Sequence, residues 1–368
     1  MALGRWWNPF GRKSRPAPGS VDGPEGATSL PATAPMPLAH RPVQAAVGAA
    51  TLPAPLAAAE APAPIDVPLS DPQRIEFFRW IVGVPTIAGT SGLPDLVVQH
   101  LMERLDEVIA SDALRAGLLP RAPHVIPQLM KTLRDEGYSS IDVASRISKD
   151  VVLTAEVVRS ATSAFQRGDD EGEIDLPRAV TMIGTQGLRR AIANVVLRPI
   201  FDAKGSSLSA RAATQIWKDA DRKARLAAPI AGQYDLDPFD GYLAGLLHNS
   251  GWTAVLRAID NLEDLAVGPA EIAHLAVVPE VIRRRDALFG ALVGPWKLGA
   301  LMDKLAAEVG SVGLENARSP LGCALRDADR LAALRALAPG GERNGAKTVP
   351  RWSQLAKPVQ DAYAGLGS

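Results

Sequence analysis

From about residue 70 onward, apolar residues recur at the three- and four-residue intervals that are typical of amphipathic helices. Ser70-Asp71-Pro72 combines an N-cap residue with a proline in the first turn, which favours a helix start. The inward face of this helix is predicted to carry Ile75, Phe78 and Ile81. A second helix is predicted to open at Leu93-Pro94, with an apolar face formed by Leu96, Val97, Leu101, Leu105, Val108 and Ile109. Residues 70–111 are therefore interpreted as a helical preface to the main domain.

The stretch over residues 112–310 shows short apolar-periodic segments separated by turn residues. Alternation with period two is nearly absent, which argues against strands. The predicted helices here and just beyond include 177–184, 186–201, 209–232, 239–248, 286–293, 297–309 and 320–337. Residues 311–368 are expected to hold a C-terminal helix and to finish as a loose tail around Pro339-Gly340-Gly341. The pattern predicts an all-α, multi-helix bundle.

Residues 1–69 have the composition of a disordered tail. Thirteen of the thirty prolines fall within the first 70 residues, interleaved with Ala, Gly, Ser and Thr, so this segment offers little apolar surface to bury. Trp6, Trp7 and Phe10 stand among basic residues near the start of the chain. They are candidates for a tail anchor that dips into a membrane surface or docks on a partner, the alternative being an inert tail.

Composition narrows the function classes. Forty basic and forty acidic residues cancel, so no overall field would draw the chain to nucleic acid, and DNA binding is not expected. No apolar run reaches the roughly 20 residues of a transmembrane helix. A single cysteine, Cys323, excludes an internal disulfide framework and fits a reducing compartment. We expect a cytoplasmic protein without a cofactor.

One apolar segment differs at a single position from a metal-binding motif. It reads Gly245-Leu246-Leu247-His248-Asn249-Ser250-Gly251, which resembles the Leu-Leu-His-Asp-x-Gly signature of the HD metal-dependent phosphohydrolases. In those enzymes the adjacent His and Asp hold a divalent metal that activates water for phosphate-ester hydrolysis. Asn249 replaces the Asp, and a neutral amide lacks the charge that makes a carboxylate a good ligand.

Further local sequences occur in one order along the chain. Residues 147–155 resemble the element I-x-x-D-P-x-L-t-A, residues 158–165 resemble L-R-x-A-N-S-A-x-Y, and residues 174–184 resemble I-x-S-l-x-x-A-I-x-x-L-G. The other matching segments are Leu119-Pro120-x-x-Pro123 before them, and Trp217, 245–248 and 290–296 after them. Over roughly residues 112–310 the series resembles the HDOD family, the HD-related output domains of bacterial signalling proteins. The resemblance implies an all-helical fold related to HD hydrolases, generally without their catalysis.

The other metal-ligand positions that the HD resemblance implies are mostly not histidine here. Asp219 and Asp286 stand at two of them, which leaves His248 as the one imidazole. Asp219, His248 and Asp286 could form a cluster for Mn, Fe or Mg, and this alternative stays open. The favoured interpretation is that His248 hydrogen-bonds a backbone carbonyl and fixes a turn at Gly251. Asp219, His248, Asn249 and Asp286 are then vestigial positions, with no catalytic residue and no bound metal.

Two short basic runs are candidate anion-binding sites. They are Arg189-Arg190 and Arg283-Arg284-Arg285. The second run borders Glu280 and Asp286, so internal neutralisation is expected there.

Three functions follow from these features. The favoured one is a non-catalytic signal-transduction or scaffold protein that binds a signalling partner, or a nucleotide, through its helical domain. The second is a divergent HD-type metal phosphohydrolase acting on a (cyclic) nucleotide through Asp219, His248 and Asp286. The third is a nucleic-acid-associated regulator that uses the arginine runs.

Overall fold

The computed structural model describes residues 68–84, 93–119, 151–165, 176–203, 205–262, 268–274, 276–338 and 345–366. All regular elements within these ranges are helical, as the sequence pattern predicts. The α-helices are α1 (Asp71–Val82), α2 (Asp95–Ala110), α3 (Asp112–Arg115), α4 (Val151–Phe165), α5 (Leu176–Phe201), α6 (Leu208–Gln233), α7 (Pro238–His248), α8 (Ser250–Asp260), α9 (Pro269–Ile272), α10 (Val278–Val293), α11 (Ala300–Val312), α12 (Pro320–Leu337), α13 (Gly345–Thr348) and α14 (Lys357–Ala364). Short 3₁₀ turns occupy Gly294–Trp296, Leu314–Asn316 and Trp352–Gln354.

The first helix begins where the sequence predicts. The backbone N–H of Ser70 donates to Gln73 Oε1 at 2.9 Å, and Gly83 ends the helix in the left-handed region at φ 67°. Phe78 is fully buried, and its ring centroid lies 5.4 Å from that of Trp252 in α8. The predicted preface is therefore part of the packed helical core.

The apolar face predicted for α2 is only partly correct. Leu101, Leu105 and Val108 are buried, as expected. Leu96 is 80% exposed, because it lies in the first turn of the helix, where the described residues provide no covering element.

Gly184 interrupts α5 as the sequence predicts. Its φ of 61° and ψ of −174° fall outside the helical region, so the helix that contains Pro177 breaks there and a second helical segment runs on to Phe201. Glycine adopts this conformation at little cost, whereas a residue with a Cβ would be strained.

Helices α6 and α7 pack closely against each other in the core, and glycines on α7 allow this approach. A Cβ at Gly245 would lie 2.7 Å from the Cα of Ala224, and one at Gly241 would lie 2.4 Å from the carbonyl oxygen of Ala227. Since those separations are shorter than real Cβ contacts, only glycine lets the two backbones come this near. The pairing brings the end of α7 against the middle of α6. Trp217, one of the positions that match the family series, lies within α6, in agreement with the helix predicted over 209–232.

The turn predicted at Gly251 is replaced by a helix. Gly251 is the second residue of α8, which follows α7 after a single intervening residue, Asn249. A Cβ at this position would lie 2.4 Å from the carbonyl oxygen of Arg285, so the glycine serves the close packing of α8 on α10. The sequence pattern alone makes these two uses of glycine look the same.

The loose C-terminal tail that the sequence predicts is wrong for residues 345–366. Val359, Tyr363 and Leu366 are buried. Arg335 Nη2 in α12 donates to the carbonyl oxygen of Leu366 at 3.1 Å, which ties the end of the described chain to the core. The predicted disordered tail up to residue 67 and the segment 339–344 lie outside the described residues. Within the described part of the chain, no helix is both long and apolar enough to cross a membrane.

Candidate functional site

The four vestigial positions predicted from sequence lie together and are buried. Asp219 comes from α6, His248 and Asn249 from the junction of α7 and α8, and Asp286 from α10. Asn249 Nδ2 donates to Asp219 Oδ2 at 2.9 Å and to the carbonyl oxygen of Ile216 at 3.0 Å. His248 Nε2 lies 3.1 Å from Asp286 Oδ1. The sequence therefore identified residues that meet in space.

The centre of this cluster is occupied by a side chain that the sequence analysis missed, Lys223. It lies one helical turn after Asp219 on α6, and it is fully buried. Its Nζ is 2.5 Å from Asn249 Oδ1, 3.1 Å from His248 Nδ1 and 3.5 Å from Asp219 Oδ2. A fourth contact, at 2.5 Å, is made with Oδ1 of Asp329 from α12. The ammonium group is therefore surrounded by polar atoms from three helices.

Arg285 supplies a second buried cation beside the first. Its Nε donates to Asp286 Oδ1 at 2.8 Å, and its Nη1 lies 3.7 Å from Asp329 Oδ2. The guanidinium also stacks 4.9 Å above the ring of Trp252. Asp329 consequently lies between Lys223 and Arg285. We refer to Asp219, Lys223, His248, Asn249, Arg285, Asp286 and Asp329 as the buried polar cluster.

The two hydrogen bonds of His248 define its protonation state. Burial, followed by the nearby charges of Lys223 and Arg285, lowers the pKa of His248 from 6.5 to about 4. The ring is therefore neutral at neutral pH. Since an ammonium only donates, Nδ1 accepts from Lys223, and the ring proton resides on Nε2 and points to Asp286. The prediction that His248 binds a backbone carbonyl is wrong, because its two ring nitrogens are hydrogen-bonded to the side chains of Lys223 and Asp286.

The carboxylates of the cluster respond differently to their surroundings. Burial alone would raise the pKa of Asp286, but Arg285, His248 and the backbone N–H of Leu314 outweigh it and lower the pKa. Burial likewise opposes Lys223 and Arg285 at Asp329, and the two cations hold the pKa of that carboxyl well below its usual range. For Asp219 burial dominates over the attraction of Lys223, so its pKa is raised.

With Lys223 in place, the residues of the cluster do not fit a bound metal ion. Asp286 faces Nε2 of His248, whereas Asp219 lies on the side of Lys223 and Nδ1, so the proposed three-ligand set does not converge on one point. Among the residues that the structure describes, no group of three or more His, Cys, Asp or Glu side chains is arranged to hold a metal. The point on which Asp219, His248 and Asn249 do converge is taken by the Lys223 ammonium.

A small cavity adjoins the cluster on the side of α1. Its volume is about 20 Å³, which is room for roughly one water molecule. The lining residues are Leu69, Arg74, Phe77, Trp252, Ile282, Arg285, Leu314, Glu315 and Asp329. Two of these lining residues form an ion pair, with Arg74 Nη2 at 3.3 Å from Glu315 Oε1.

The arginines of the first candidate anion site are held within the domain. Arg189 lies 3.6 Å from Asp237 and stacks 6.0 Å over the ring of Phe239. Arg190 stacks 5.4 Å over the ring of Tyr242.

The second arginine run is divided among separate partners. Arg283 pairs with Glu280 on the surface, while Arg284 is buried and contacts Asp106 at 2.6 Å. Arg285 belongs to the buried polar cluster. These three arginines do not form one anion-binding surface, because successive residues of a helix point in different directions. The pairs of Arg283 with Glu280 and of Arg285 with Asp286 agree with the internal neutralisation that the sequence predicts. The candidate tail anchor of Trp6, Trp7 and Phe10 lies outside the described residues.

Sequence analysis missed Lys223, Arg285 as a cluster member, and Asp329. A signal for Lys223 was present, since it stands on α6 at the spacing of a buried face, next to Ala220, Ala224 and Ala227, which are all buried. Asp329 had no such signal, because it is one of several charged residues in α12.

The chain has relatives in both family and structure comparisons. Residues 119–308 match the family described as HDOD domain. No curated protein matches the sequence. A solved structure from Shewanella amazonensis SB2B, named "Putative metal-dependent phosphohydrolase", is similar over 74% of this chain and 98% of that chain, with 20% sequence identity and a TM-score of 0.51. An HDOD domain protein with unknown function from Geobacter sulfurreducens matches over 74% of this chain and 91% of that chain, at 22% identity and a TM-score of 0.44. The first likeness indicates a shared fold and nothing about activity.

Proposed function

The chain belongs to the HDOD domain family over residues 119–308, and on this basis we propose that it is a non-catalytic signal-transduction or scaffold protein that acts by binding a partner protein. The observation that carries the proposal is the position of Lys223. Its ammonium group stands where Asp219, His248 and Asn249 converge, and Nζ lies within 3.5 Å of a polar atom of each of these side chains.

Hydrolysis of a phosphate ester by an HD-type site requires a cation with an open coordination position. An ammonium group has no such position, and it cannot lower the pKa of a bound water as a metal does. Neither nitrogen of His248 is available for a metal while Nδ1 accepts from Lys223 and Nε2 donates to Asp286. The buried polar cluster is thus better suited to hold helices together than to perform hydrolysis.

The cavity beside the cluster supports the same function. A volume of about 20 Å³ accommodates a water molecule and is far too small for a nucleotide. Recognition would then take place on the outer surface of the helical domain, and residues 1–69 would serve to tether or localise it. Changing both Trp6 and Trp7 to Ala tests the tether. A fluorescent fusion of this variant should lose any localisation at the membrane or at the cell pole, while its melting temperature should stay unchanged.

The experiment that tests the proposal measures metal content and hydrolysis on the purified full-length protein. We expect less than a stoichiometric amount of transition metal per chain. We also expect no release of nitrophenol from bis(p-nitrophenyl) phosphate and no cleavage of a cyclic dinucleotide when Mn²⁺ or Mg²⁺ is added. One tightly bound metal per chain together with turnover would overturn the proposal in favour of a divergent phosphohydrolase.

Partner binding is tested separately by capture from the native cell. Full-length protein and a form that begins at residue 68 are compared as baits, followed by identification of what each retains. A defined protein partner that depends on the helical domain supports the proposal. Retention on heparin that is lost steeply with salt, without a protein partner, would instead favour a nucleic-acid-associated regulator.

A further inference from the structure

The charges around Lys223 show what this side chain does for the fold. Asp219 and Asp329 face its Nζ at 3.5 and 2.5 Å; Lys223 and Asp219 are fully buried, and the side chain of Asp329 is 14% exposed. Arg285 already pairs with Asp286, and it approaches Asp329 only at 3.7 Å. Without the ammonium, these two carboxylates would be left with insufficient positive charge in a medium that solvates anions poorly.

The atoms that surround the ammonium are also of the kinds that bind metal ions. They are one imidazole nitrogen, one amide carbonyl oxygen and two carboxylate oxygens, from three different helices. Such a mixed set suits Zn²⁺ or Mn²⁺. The four distances to Nζ run from 2.5 to 3.5 Å. Metal–ligand distances are about 2.0–2.2 Å, so the donors would have to close by about 0.5–1 Å around a metal ion.

We propose that Lys223 is an internal counter-cation that takes the place of a metal ion in this cluster, and that its removal leaves a site that binds one divalent cation. The lysine makes the fold independent of metal supply, because its charge is attached to the chain. The presence of the ammonium group in this position also explains why residue 249 is an asparagine. Its carbonyl oxygen accepts from the ammonium, and its amide nitrogen donates to Asp219 and to a backbone carbonyl.

The small cavity on the side of α1 borders one donor of this set. Asp329 lines the cavity and also contacts Nζ of Lys223. One carboxylate of the vacated position is therefore next to a space that holds about one water molecule.

The test uses three variants of the full chain, each compared with wild type. Lys223→Ala removes the charge and opens space, whereas Lys223→Met removes the charge but keeps the volume filled. Lys223→Ala/Asp329→Asn removes one positive and one negative charge together. Thermal melting is measured in EDTA and with Mn²⁺ or Zn²⁺, and bound metal is counted per chain after gel filtration.

We expect Lys223→Ala to melt at a lower temperature than wild type in EDTA and to bind one Mn²⁺ or Zn²⁺ per chain. The melting temperature of this variant should rise with cation concentration, since a ligand that binds only the folded state stabilises it by mass action. Lys223→Met and wild type should show neither effect. The double variant should melt above Lys223→Ala in EDTA and should gain less from the cation.

Two results would overturn the proposal. The first is a Lys223→Ala variant that folds but responds to cations no differently from wild type and Lys223→Met. The second is a Lys223→Ala variant that does not fold in EDTA and also does not fold with either cation, since a metal ion in the place of the ammonium would restore the fold. A variant that is unfolded in EDTA and folds on addition of Mn²⁺ or Zn²⁺ supports the proposal.

Discussion

Lys223 Nζ lies 2.5 Å from Oδ1 of Asn249, so the residue at which this chain departs from the HD signature is bonded to a cation of its own. The amide is used completely. Its oxygen accepts from Lys223, and its nitrogen donates to Asp219 and to the carbonyl oxygen of Ile216. Asparagine is therefore matched to this environment, and it is not simply a weakened ligand.

Restoring the aspartate should harm the protein and should not create an enzyme. Asn249→Asp places a carboxylate against Asp219 and against the carbonyl oxygen of Ile216, which both lose a donor. We expect a loss of about 2–4 kcal/mol in the free energy of unfolding, less whatever the new charge gains from Lys223. Urea denaturation measures the loss, and a phosphodiesterase assay with Mn²⁺ should remain at background.

A matched pair of variants controls this prediction. Asn261→Asp changes an exposed asparagine at the end of α8 and should alter stability by less than about 0.5 kcal/mol. Asp219→Asn/Asn249→Asp moves the amide to the other side of the contact and should recover part of the loss. If Asn249→Asp alone were as stable as wild type, the two donor contacts of Asn249 would have no energetic role.

The neutral His248 should make the folded protein sensitive to acid. Its folded-state pKa is lowered from 6.5 to about 4. Between these pH values the unfolded chain binds a proton that the folded chain does not. The contribution of neutral His248 to the free energy of unfolding is therefore complete above about pH 6.5. It is lost as the pH falls towards 4, at about 1.4 kcal/mol per pH unit. The free energy of unfolding in urea, measured from pH 7.5 to 4, checks this slope.

The variant His248→Gln separates the pH dependence that is due to the imidazole from that of the carboxylates, because glutamine does not titrate. The raised pKa of Asp219 acts in the opposite direction, since its folded form holds a proton that the unfolded form releases as the pH rises above 3.8. The lowered pKa of Asp286 matters only in more acidic solution, where its stabilising effect is lost as the pH drops below 3.8. We expect the free energy of unfolding of His248→Gln to change less with pH between 6.5 and 4, by the contribution of one proton, about 1.4 kcal/mol per pH unit. An unchanged slope would show that His248 is not a buried neutral base.

The C-terminal residues should be required for stability. Deleting 345–368 would expose the surfaces that Val359, Tyr363 and Leu366 cover, and it would remove the carbonyl oxygens that accept from Arg225 and Arg335. Burial of these side chains corresponds to a loss on the order of 3–6 kcal/mol. Thermal melting measures it, and removal of Gly367-Ser368 alone is the control. A deletion variant that melts like wild type would mean that this segment only rests on the core.

The first 67 residues should be removable. A chain that begins at residue 68 keeps Leu69, which is buried, and keeps the 3.1 Å bond from Arg74 Nε to the carbonyl oxygen of Leu69. We expect its melting temperature to lie within about 2 °C of full length. A chain that begins at residue 77 loses these contacts and half of α1, and should melt clearly lower. A large drop in the first variant would show that residues 1–67 pack on the domain.

The sequence by itself determined the local features of this protein. Helix periodicity, the cap at Ser70 and the break at Gly184 follow from interactions within a few residues, and these predictions agree with the structure. The same holds for the HDOD motifs, because each motif is a short segment. The sequence also placed His248 and Asn249 at the end of an apolar helix, and both side chains are buried.

Only the tertiary structure decided what those residues contact. Lys223 and Asp329 are far apart in the chain, and they meet because α6 and α12 pack together in the core. Gly251 looked like a turn, since its packing partner on α10 is not a neighbour in sequence. Local spacing reveals which side chains share a helix face. The partner of a buried charge depends on which helices are brought together, and so the position of Lys223 at the centre of the cluster became visible only in the folded chain.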